Sequence, residues 1–429
     1  MASYSETLER IYKLHGGAID LRLDRVAGAL KLFDHPERKF PSIHIAGTNG
    51  KGSTSAMLQR ILSLSGYRAA LYTSPHLVSF TERIKIGDEE ISQDEVVAIA
   101  DEIWRRTAAV EITLTYFEVV TVMAFIYFAR HPTDVAVIEV GLGGRFDATN
   151  VITPLVALIT TISKDHEAFL GNDLLSIAGE KAGIIKPGVP VVCGAVNTAV
   201  GELFRQIAND RGSKAYFFGE DFKFSLKNEG YFDYTGLKQH YFNLSLRLRG
   251  EHQRHNAAVA IAALETVQDR LPSSEAAIRA GLATVQWPGR FEIMLERPTV
   301  VIDGAHNGEG VLSLVEELKV YRGRKIKLLF AVMSDKDWRL MLARLIKVVS
   351  QVTFTKVAME RSADPAELAR HFAAQVASRS HADACAALRG LIDESAADDV
   401  IVVAGSLYLI GEIRPMLQEI AAARSRLPS

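Results

Sequence analysis

Cysteine is nearly absent from this chain. Among 429 residues there are two, Cys193 and Cys385, each alone in its segment. That excludes a disulfide framework and a cysteine metal site, and it suits a reducing compartment. An excess of one charge sign is lacking too: the formal net charge is −2 and no basic block or stripe stands out, so nucleic acid is not expected as a partner. Long hydrophobic runs are also missing. The most apolar stretch, Val119 to Ala129, is too short to cross a bilayer and reads as a buried helix. The first residues, Met1 to Lys13, are polar and charged and show no signal peptide. With 48% hydrophobic and 23% charged residues the composition is that of a soluble globular protein. A cytoplasmic enzyme that meets neither membrane nor nucleic acid is expected, and the length implies two domains, each burying its own core.

What is present gathers around Ile43-His44-Ile45-Ala46-Gly47-Thr48-Asn49-Gly50-Lys51-Gly52-Ser53-Thr54. A short apolar run enters a loop with three glycines, a lysine and several hydroxyls, and a helical pattern from Ser55 to Leu64 follows. Strand, glycine-rich loop and helix make an anion cradle. Backbone N–H groups turn inward, the helix N-terminus adds a positive dipole end, and Lys51 supplies a mobile cation. The general phosphate-loop pattern G-x-x-x-x-G-K-[ST] fails here twice: Ile45 stands where the first glycine belongs, and Gly52 where a hydroxyl should follow the lysine. The stretch reads as a variant nucleotide-phosphate site.

Further polar groups fall at the ends of apolar runs, where open α/β sheets place their ligands. Arg68 to Thr73 reads as a strand followed by Ser74-Pro75-His76, and Ser74 either binds a ligand there or merely shapes the turn. Val135 to Val140 contains Glu139. A carboxylate in a buried strand is costly unless paired or bound to a cation, which makes it the natural Mg²⁺ partner of a neighbouring phosphate loop. Leu155 to Ile162 leads to Ser163-Lys164-Asp165-His166, placing His166 on the same edge, while Lys181 on its own reads as a solvated helix charge. Helices are expected from Ser3 to Lys13, from Leu23 towards Phe33, from Ser92 to Arg106, and from Thr115-Tyr116-Phe117-Glu118 to Ala129. Residues 213–249 alternate apolar and polar and suggest antiparallel strands of a side sheet.

A long alanine-rich helix opens near Gly250, and Trp287-Pro288-Gly289-Arg290 marks a border. Beyond it, strands at Val300 to Asp303, Lys325 to Val332, Gln351 to Lys356 and Val400 to Ala404 alternate with helices, implying a second parallel α/β domain. The expected fold is therefore α/β. A phosphate-loop ATPase domain over residues 1–290 has a mostly parallel sheet plus a small antiparallel side sheet. A linker at about 287–298 leads to a Rossmann-like α/β domain over 298–429.

Several motifs then recur in a familiar order: Gly47-Thr48-Asn49-Gly50-Lys51-Gly52-Ser53, Ser74-Pro75-His76-Leu77, Phe117-Glu118, Glu139-Val140-Gly141-Leu142-Gly143-Gly144-Arg145 with Asp147-Ala148-Thr149-Asn150, Asp165-His166, Glu180-Lys181-Ala182-Gly183, Gly250 with His252-Gln253 and Asn256-Ala257, Asp303-Gly304-Ala305-His306-Asn307, and Gly405-Ser406-Leu407-Tyr408. Over nearly its whole length the sequence resembles the folylpolyglutamate synthase/dihydrofolate synthase family of the Mur ligase superfamily, whose phosphate loop has the form G-T-N-G-K-G-[ST].

The resemblance implies an ATP-dependent ligase that joins L-glutamate to dihydropteroate or to the γ-carboxylate of reduced folates through an acyl phosphate. It places Thr48, Asn49, Gly50, Lys51, Gly52 and Ser53 around the ATP phosphates, Asn256 at adenine, Arg290 on the phosphates and Asp303 at the nucleotide. Two Mg²⁺ ions are implied, with Ser53, Ser74, Glu139 and His166 as ligands, and a monovalent cation is a further candidate. It reverses the reading of Lys181, whose counterpart is typically carbamylated and so becomes an anion able to help hold the second Mg²⁺. Phe117, Asp147 and Ala148 match pteridine-binding positions, Asp24 and Arg25 a mobile folate loop, Ser406 and Tyr408 the incoming glutamate. Lys51, Lys181 and His306 carry the catalytic roles. The implied partners are small molecules only, and a monomer is expected.

The motifs leave open whether both glutamylation steps or only polyglutamylation occur. Rival readings are a peptidoglycan Mur ligase, which would need a UDP-binding domain ahead of a phosphate loop that begins by residue 47, and a non-ligating phosphotransferase, which leaves Asp303 and His306 without a task.

Overall fold

The computed structural model describes residues 2–14 and 23–425. The chain divides into two compact units. One comprises Met1–His76, Phe80–Arg247 and His252–Gln286; the other comprises Trp287–Ser429 with the short segments Leu77–Ser79 and Leu248–Glu251.

The first unit is built on an eight-stranded sheet of β1 (Ser42–Ala46), β2 (Ala69–Tyr72), β3 (Ile84–Ile86), β4 (Glu89–Glu90), β5 (Val135–Glu139), β6 (Val156–Ile159), β7 (Val191–Cys193) and β8 (Ala215–Phe217), in the order β4-β3-β2-β5-β1-β6-β7-β8. From β2 to β8 every pairing is parallel, and β3 and β4 extend the sheet antiparallel at one edge. Both faces of the central strands are covered. Every residue of β1 and β5 is buried, as continuous apolar runs in a parallel sheet require.

The apolar stretch after Thr115 is the helix Tyr116–Arg130, buried almost throughout and closed at its start by a reciprocal capping box between Thr115 and Glu118. Tyr116 and Phe117 form its first turn. Ser3 and Glu6 make the same box at the head of the helix Tyr4–Lys13, and Ser92 caps Gln93–Ala108.

The side sheet is three-stranded and antiparallel: β9 (Lys223–Leu226), β10 (Phe232–Thr235) and β11 (His240–Leu244). Glu265 pins its tip, accepting hydrogen bonds from the Tyr234 hydroxyl and the amides of Leu237, Lys238 and Gln239. Ala215–Phe217, expected in this sheet, pairs in parallel with β7 instead and extends the main sheet. Three residues are too few for periodicity to assign, and backbone pairing decides.

The second unit has a six-stranded sheet of β12 (Glu292–Glu296), β13 (Thr299–Ile302), β14 (Ile326–Phe330), β15 (Gln351–Phe354), β16 (Ala377–Ser380) and β17 (Val400–Ala404), in the order β12-β13-β17-β14-β15-β16. It is not wholly parallel as expected: β12 runs antiparallel to β13 as an edge strand, within a stretch whose Pro and Gly read only as a border. β14 and β17, at the centre, are fully buried. Among the described residues no helix is long and apolar enough to cross a membrane.

Candidate functional site

In the first unit β2, β5, β1 and β6 are successive neighbours, so the segments leaving their C-terminal ends lie side by side. Those segments carry Ser74, Glu139, the glycine loop and His166 in that order.

The loop is held open by its glycines. Gly50 has φ +87°, and the helix begins directly after it, at Lys51 rather than the expected Ser55. A side chain at Gly50 would strike Asn256, whose Oδ1 lies 2.3 Å from the position of a Cβ, and one at Gly47 (φ +144°) would meet Thr160 Oγ1 at 1.9 Å. Because the helix starts early, the amides of Lys51, Gly52 and Ser53 fall in its first turn, which has no intrahelical acceptors. Among the described residues no acceptor meets them or the Gly50 amide. Four consecutive donors at a positive helix end are a fit for phosphate oxygens. Asn256 is buried against this turn, its Nδ2 donating to Gln253 Oε1 at 3.1 Å.

Two lysines converge on one carbonyl. Lys51 Nζ donates to Gly47 O at 3.1 Å and to Thr48 O at 3.3 Å; Lys181 Nζ donates to Gly47 O at 2.9 Å. Lys181 is only 4% exposed, so it is not the solvated charge its sequence alone suggests. Burial, with the Lys51 ammonium adding to it, pushes its pKa down to about 7, against the opposing pull of Asp165 and Asp147. A neutral amine is therefore accessible near physiological pH, the form that reacts with CO₂ to give a carbamate.

Glu139 is buried, and its Oε2 accepts from the Ser74 amide at 3.1 Å, across the cis Ser74-Pro75 turn. His166 adopts φ +53° at the head of a one-turn helix, Glu167–Leu170, with Nε2 4.0 Å from Asp165 Oδ1. Among the described residues no cluster of three or more His, Cys, Asp or Glu side chains is poised to hold a metal. The donors at this edge nonetheless suit Mg²⁺, which takes one or two protein carboxylates and completes its shell with hydroxyls, water and substrate phosphates.

The expected folate-side residues also lie in the first unit. Arg25 pairs with Glu118 (Nη2 to Oε1, 2.9 Å), tying the helix Asp24–Lys31 to the start of Tyr116–Arg130. The Phe117 ring lies against Gly141, whose absent Cβ would be 2.4 Å from Cζ, and tilts against Tyr72 at 6.2 Å between centroids. Ala148 packs into the core beside that helix. Asp147 is buried and its carboxylate is used inside its own loop. Oδ2 accepts from the Leu142 amide at 2.9 Å, and Oδ1 from the amide and hydroxyl of Thr149 at 3.0 and 2.5 Å. Burial raises its pKa while those donors oppose the rise.

The second unit has its own cluster. Asp303, following β13, accepts from the Phe291 amide at Oδ2 and the Ala305 amide at Oδ1, both at 2.8 Å. Burial raises its pKa, with Arg290 pulling the other way. Gly304 is crowded by Arg290, whose Nη1 lies 2.6 Å from where a Cβ would sit. His306 Nδ1 lies 2.8 Å from Gly304 O, so Nδ1 carries the proton that donates. The Gly405 amide reaches Ala305 O, bringing the end of β17 beside this loop. There the buried Ser406 accepts from the Tyr408 amide at 3.1 Å, and Tyr408 is partly exposed.

Sequence reading missed Thr160, Thr161 and Ser163. They leave β6 and hydrogen-bond along Thr48 and Asn49 of the phosphate loop. Two adjacent hydroxyls directly after an apolar run were the available signal.

Comparison with known proteins gives a consistent result. The Mur ligase middle domain profile matches residues 45–264, and that of the Mur ligase glutamate ligase domain matches residues 289–407. The dihydrofolate synthase/folylpolyglutamate synthase of Bacillus subtilis is 34% identical over 92% of this chain and 95% of its own length. The structure of Escherichia coli FolC in complex with DHPP and ADP superposes with a TM-score of 0.90 at 32% identity, covering 99% of both chains. That of a bifunctional folylpolyglutamate synthase/dihydrofolate synthase with Mn, AMPPNP and L-glutamate bound gives 0.88 at 32% identity, covering 97% of this chain and 98% of the other.

Proposed function

Because the chain belongs to the folylpolyglutamate synthase/dihydrofolate synthase family of Mur ligases, and is an ATP-dependent glutamate ligase of folate biosynthesis, we propose that its two clusters divide one reaction between them. A carboxylate does not form an amide with an amine at neutral pH until one of its oxygens becomes a leaving group. The folate-side carboxylate attacks the γ-phosphorus of ATP, the bond to the β,γ-bridging oxygen breaks, and ADP and an acyl phosphate result. The amine of L-glutamate then attacks the acyl carbon, loses a proton, and expels phosphate.

The first cluster serves the phosphoryl step. The amides of Gly50 to Ser53 hold the phosphates, Lys51 offsets charge that builds on them, and Asn256 stands at adenine. Mg²⁺, when bound, neutralises phosphate charge on both sides of the displacement. Ser53, Ser74, Glu139, His166 and a carbamylated Lys181 would hold it, with a monovalent cation as a further occupant. Phe117, Ala148, Asp24 and Arg25 shape the folate side, and Asp147 serves it by fixing the Leu142–Thr149 loop.

The second cluster serves the nucleotide and the amine. Asp303 with Arg290 steadies the nucleotide, Nε2 of His306 takes the amine proton, and Ser406 and Tyr408 face glutamate. A domain border near 287–298, a monomeric state and a cytoplasmic location complete the reading. The convergence of Lys51 and Lys181 on Gly47 O beside four open amides carries it.

The test is coupled ADP release with dihydropteroate, tetrahydrofolate or a UDP-muramoyl peptide, each with its amino acid. ADP release with both folate substrates and glutamate is expected. Turnover with tetrahydrofolate alone would restrict the enzyme to polyglutamylation, and turnover only with the muramoyl peptide would overturn the folate reading.

A further inference from the structure

The phosphate loop does not hold its shape alone. Thr160, fully buried directly after β6, donates through Oγ1 to Asn49 O at 2.7 Å, with Ala46 O at 3.3 Å as a weaker second acceptor. Thr161 Oγ1 reaches the same Asn49 carbonyl at 3.3 Å. Thr48 is clasped beside them: its amide donates to Thr161 O at 2.7 Å and its hydroxyl to Ser163 O at 3.0 Å. Gly47 packs closely on Thr160, whose Oγ1 lies 1.9 Å from where a Cβ would sit.

The carbonyl of Asn49 and the amide of Gly50 belong to one trans peptide plane, so they point to opposite sides of the chain. Holding the carbonyl towards β6 turns the Gly50 N–H away from it, to the side where it finds no acceptor among the described residues. A flip of this plane changes ψ of Asn49 and φ of Gly50, and glycine offers little resistance to it because positive and negative φ are nearly equal for it. The loop's own sequence therefore does not fix the orientation.

We propose that Thr160 is a positioning residue for the nucleotide phosphates: its hydroxyl locks the Asn49–Gly50 peptide so that the Gly50 amide faces the phosphate oxygens, with Thr161 as a weaker second hold. This rests on the nucleotide-site reading above. It accounts for a buried threonine in a strand exit whose hydroxyl is otherwise unneeded.

Titration calorimetry of ADP and of adenosine, both with Mg²⁺, into wild type, Thr160→Ser and Thr160→Val tests it. Valine keeps the shape and removes the donor; serine keeps the donor. Expected are an ADP affinity about tenfold weaker in Thr160→Val, about the loss of one hydrogen bond, adenosine affinity within about twofold of wild type, and Thr160→Ser close to wild type for both. Thr161→Val should weaken ADP by only about two- to threefold, as befits its longer bond. Unchanged ADP affinity in Thr160→Val, or an equal loss for ADP and adenosine, overturns the inference. If Thr160→Val does not fold, Thr160→Ala, which leaves room and no donor, is read by the same ADP-to-adenosine ratio. A wild type that binds no ADP would instead overturn the nucleotide site itself.

Discussion

At the C-terminal edge of the first sheet two lysines, Lys51 and Lys181, crowd a single carbonyl, and four amides meet no acceptor among the described residues; at the C-terminal edge of the second sheet a buried carboxylate, Asp303, takes two amides and faces one guanidinium. The first arrangement is electropositive and suits the anion proposed for it. The second is satisfied within itself. Each oxygen of Asp303 already holds one amide, of Phe291 and of Ala305, so the carboxylate fixes its own loop whatever else its remaining lone pairs accept. Asp147 repeats that arrangement in the first unit, so the contrast does not follow the division between the two units.

The strongest challenge to this contrast is removal of the cations. Lys51→Ala should lower ADP release by about 10²–10³-fold, the usual scale for one group that stabilises developing charge. Lys181→Ala should lose activity on a similar scale, and added bicarbonate should not restore it. Its unfolding midpoint should stay level or rise, because a buried ionisable group has been removed. Full activity in that variant would take the carbamate out of the account.

The holding loops predict smaller effects of another kind. Asp303→Ala and Asp147→Ala each leave backbone donors without their acceptor, at a cost of about 1–3 kcal/mol read by denaturant unfolding. The two should separate in kinetics: the first raises KM for ATP, the second KM for the folate substrate with KM for ATP unchanged. A rise in the same constant for both would erase the distinction.

Acid should weaken the first unit. Burial holds His44 down to about 3, and His76 and His255 down to about 4, and all three lie in that unit. Each binds its proton in the unfolded chain near pH 6.5 but not in the fold until the lower value. The unfolded state thus takes up more protons between the two, and stability present above pH 6.5 is lost as pH falls towards about 4. Asp147 and Asp303, raised by burial, act in the opposite sense, their stabilisation being lost as pH rises through their folded values. Thermal midpoints measured from pH 7.5 to 4 should fall, and His44→Gln should flatten the slope; a flat profile in wild type would contradict the burial argument. Least of all should matter the exposed pairs Arg205–Glu220 and Arg379–Glu394, one in each unit, where charge removal should cost less than about 1 kcal/mol in denaturant unfolding.

Much of this was legible in the residues. Continuous apolar runs located β1, β5, β6 and β17, and the polar groups at their ends fell on the same sheet edges. The helices expected from Ser3, Ser92 and Thr115 begin directly after those residues. Short pieces escaped. β7 and β8 have three residues each, and β12 and β16 mix polar with apolar residues, so pairing with a neighbour rather than their own pattern defines them. The burial of Lys181 was illegible for the same reason: a lysine in a helical pattern carries no mark of what the helix packs against. Thr160 was missed because its part depends on a carbonyl more than a hundred residues earlier.

The division of labour rests on an acyl phosphate formed at the first edge. Dihydropteroate labelled with ¹⁸O in its carboxylate, incubated with ATP, Mg²⁺ and L-glutamate, tests this by mass spectrometry of the released phosphate. One labelled oxygen should appear in phosphate for each amide formed, because the carboxylate oxygen that bonds to phosphorus leaves with it. Phosphate free of label, alongside amide product, would contradict the account.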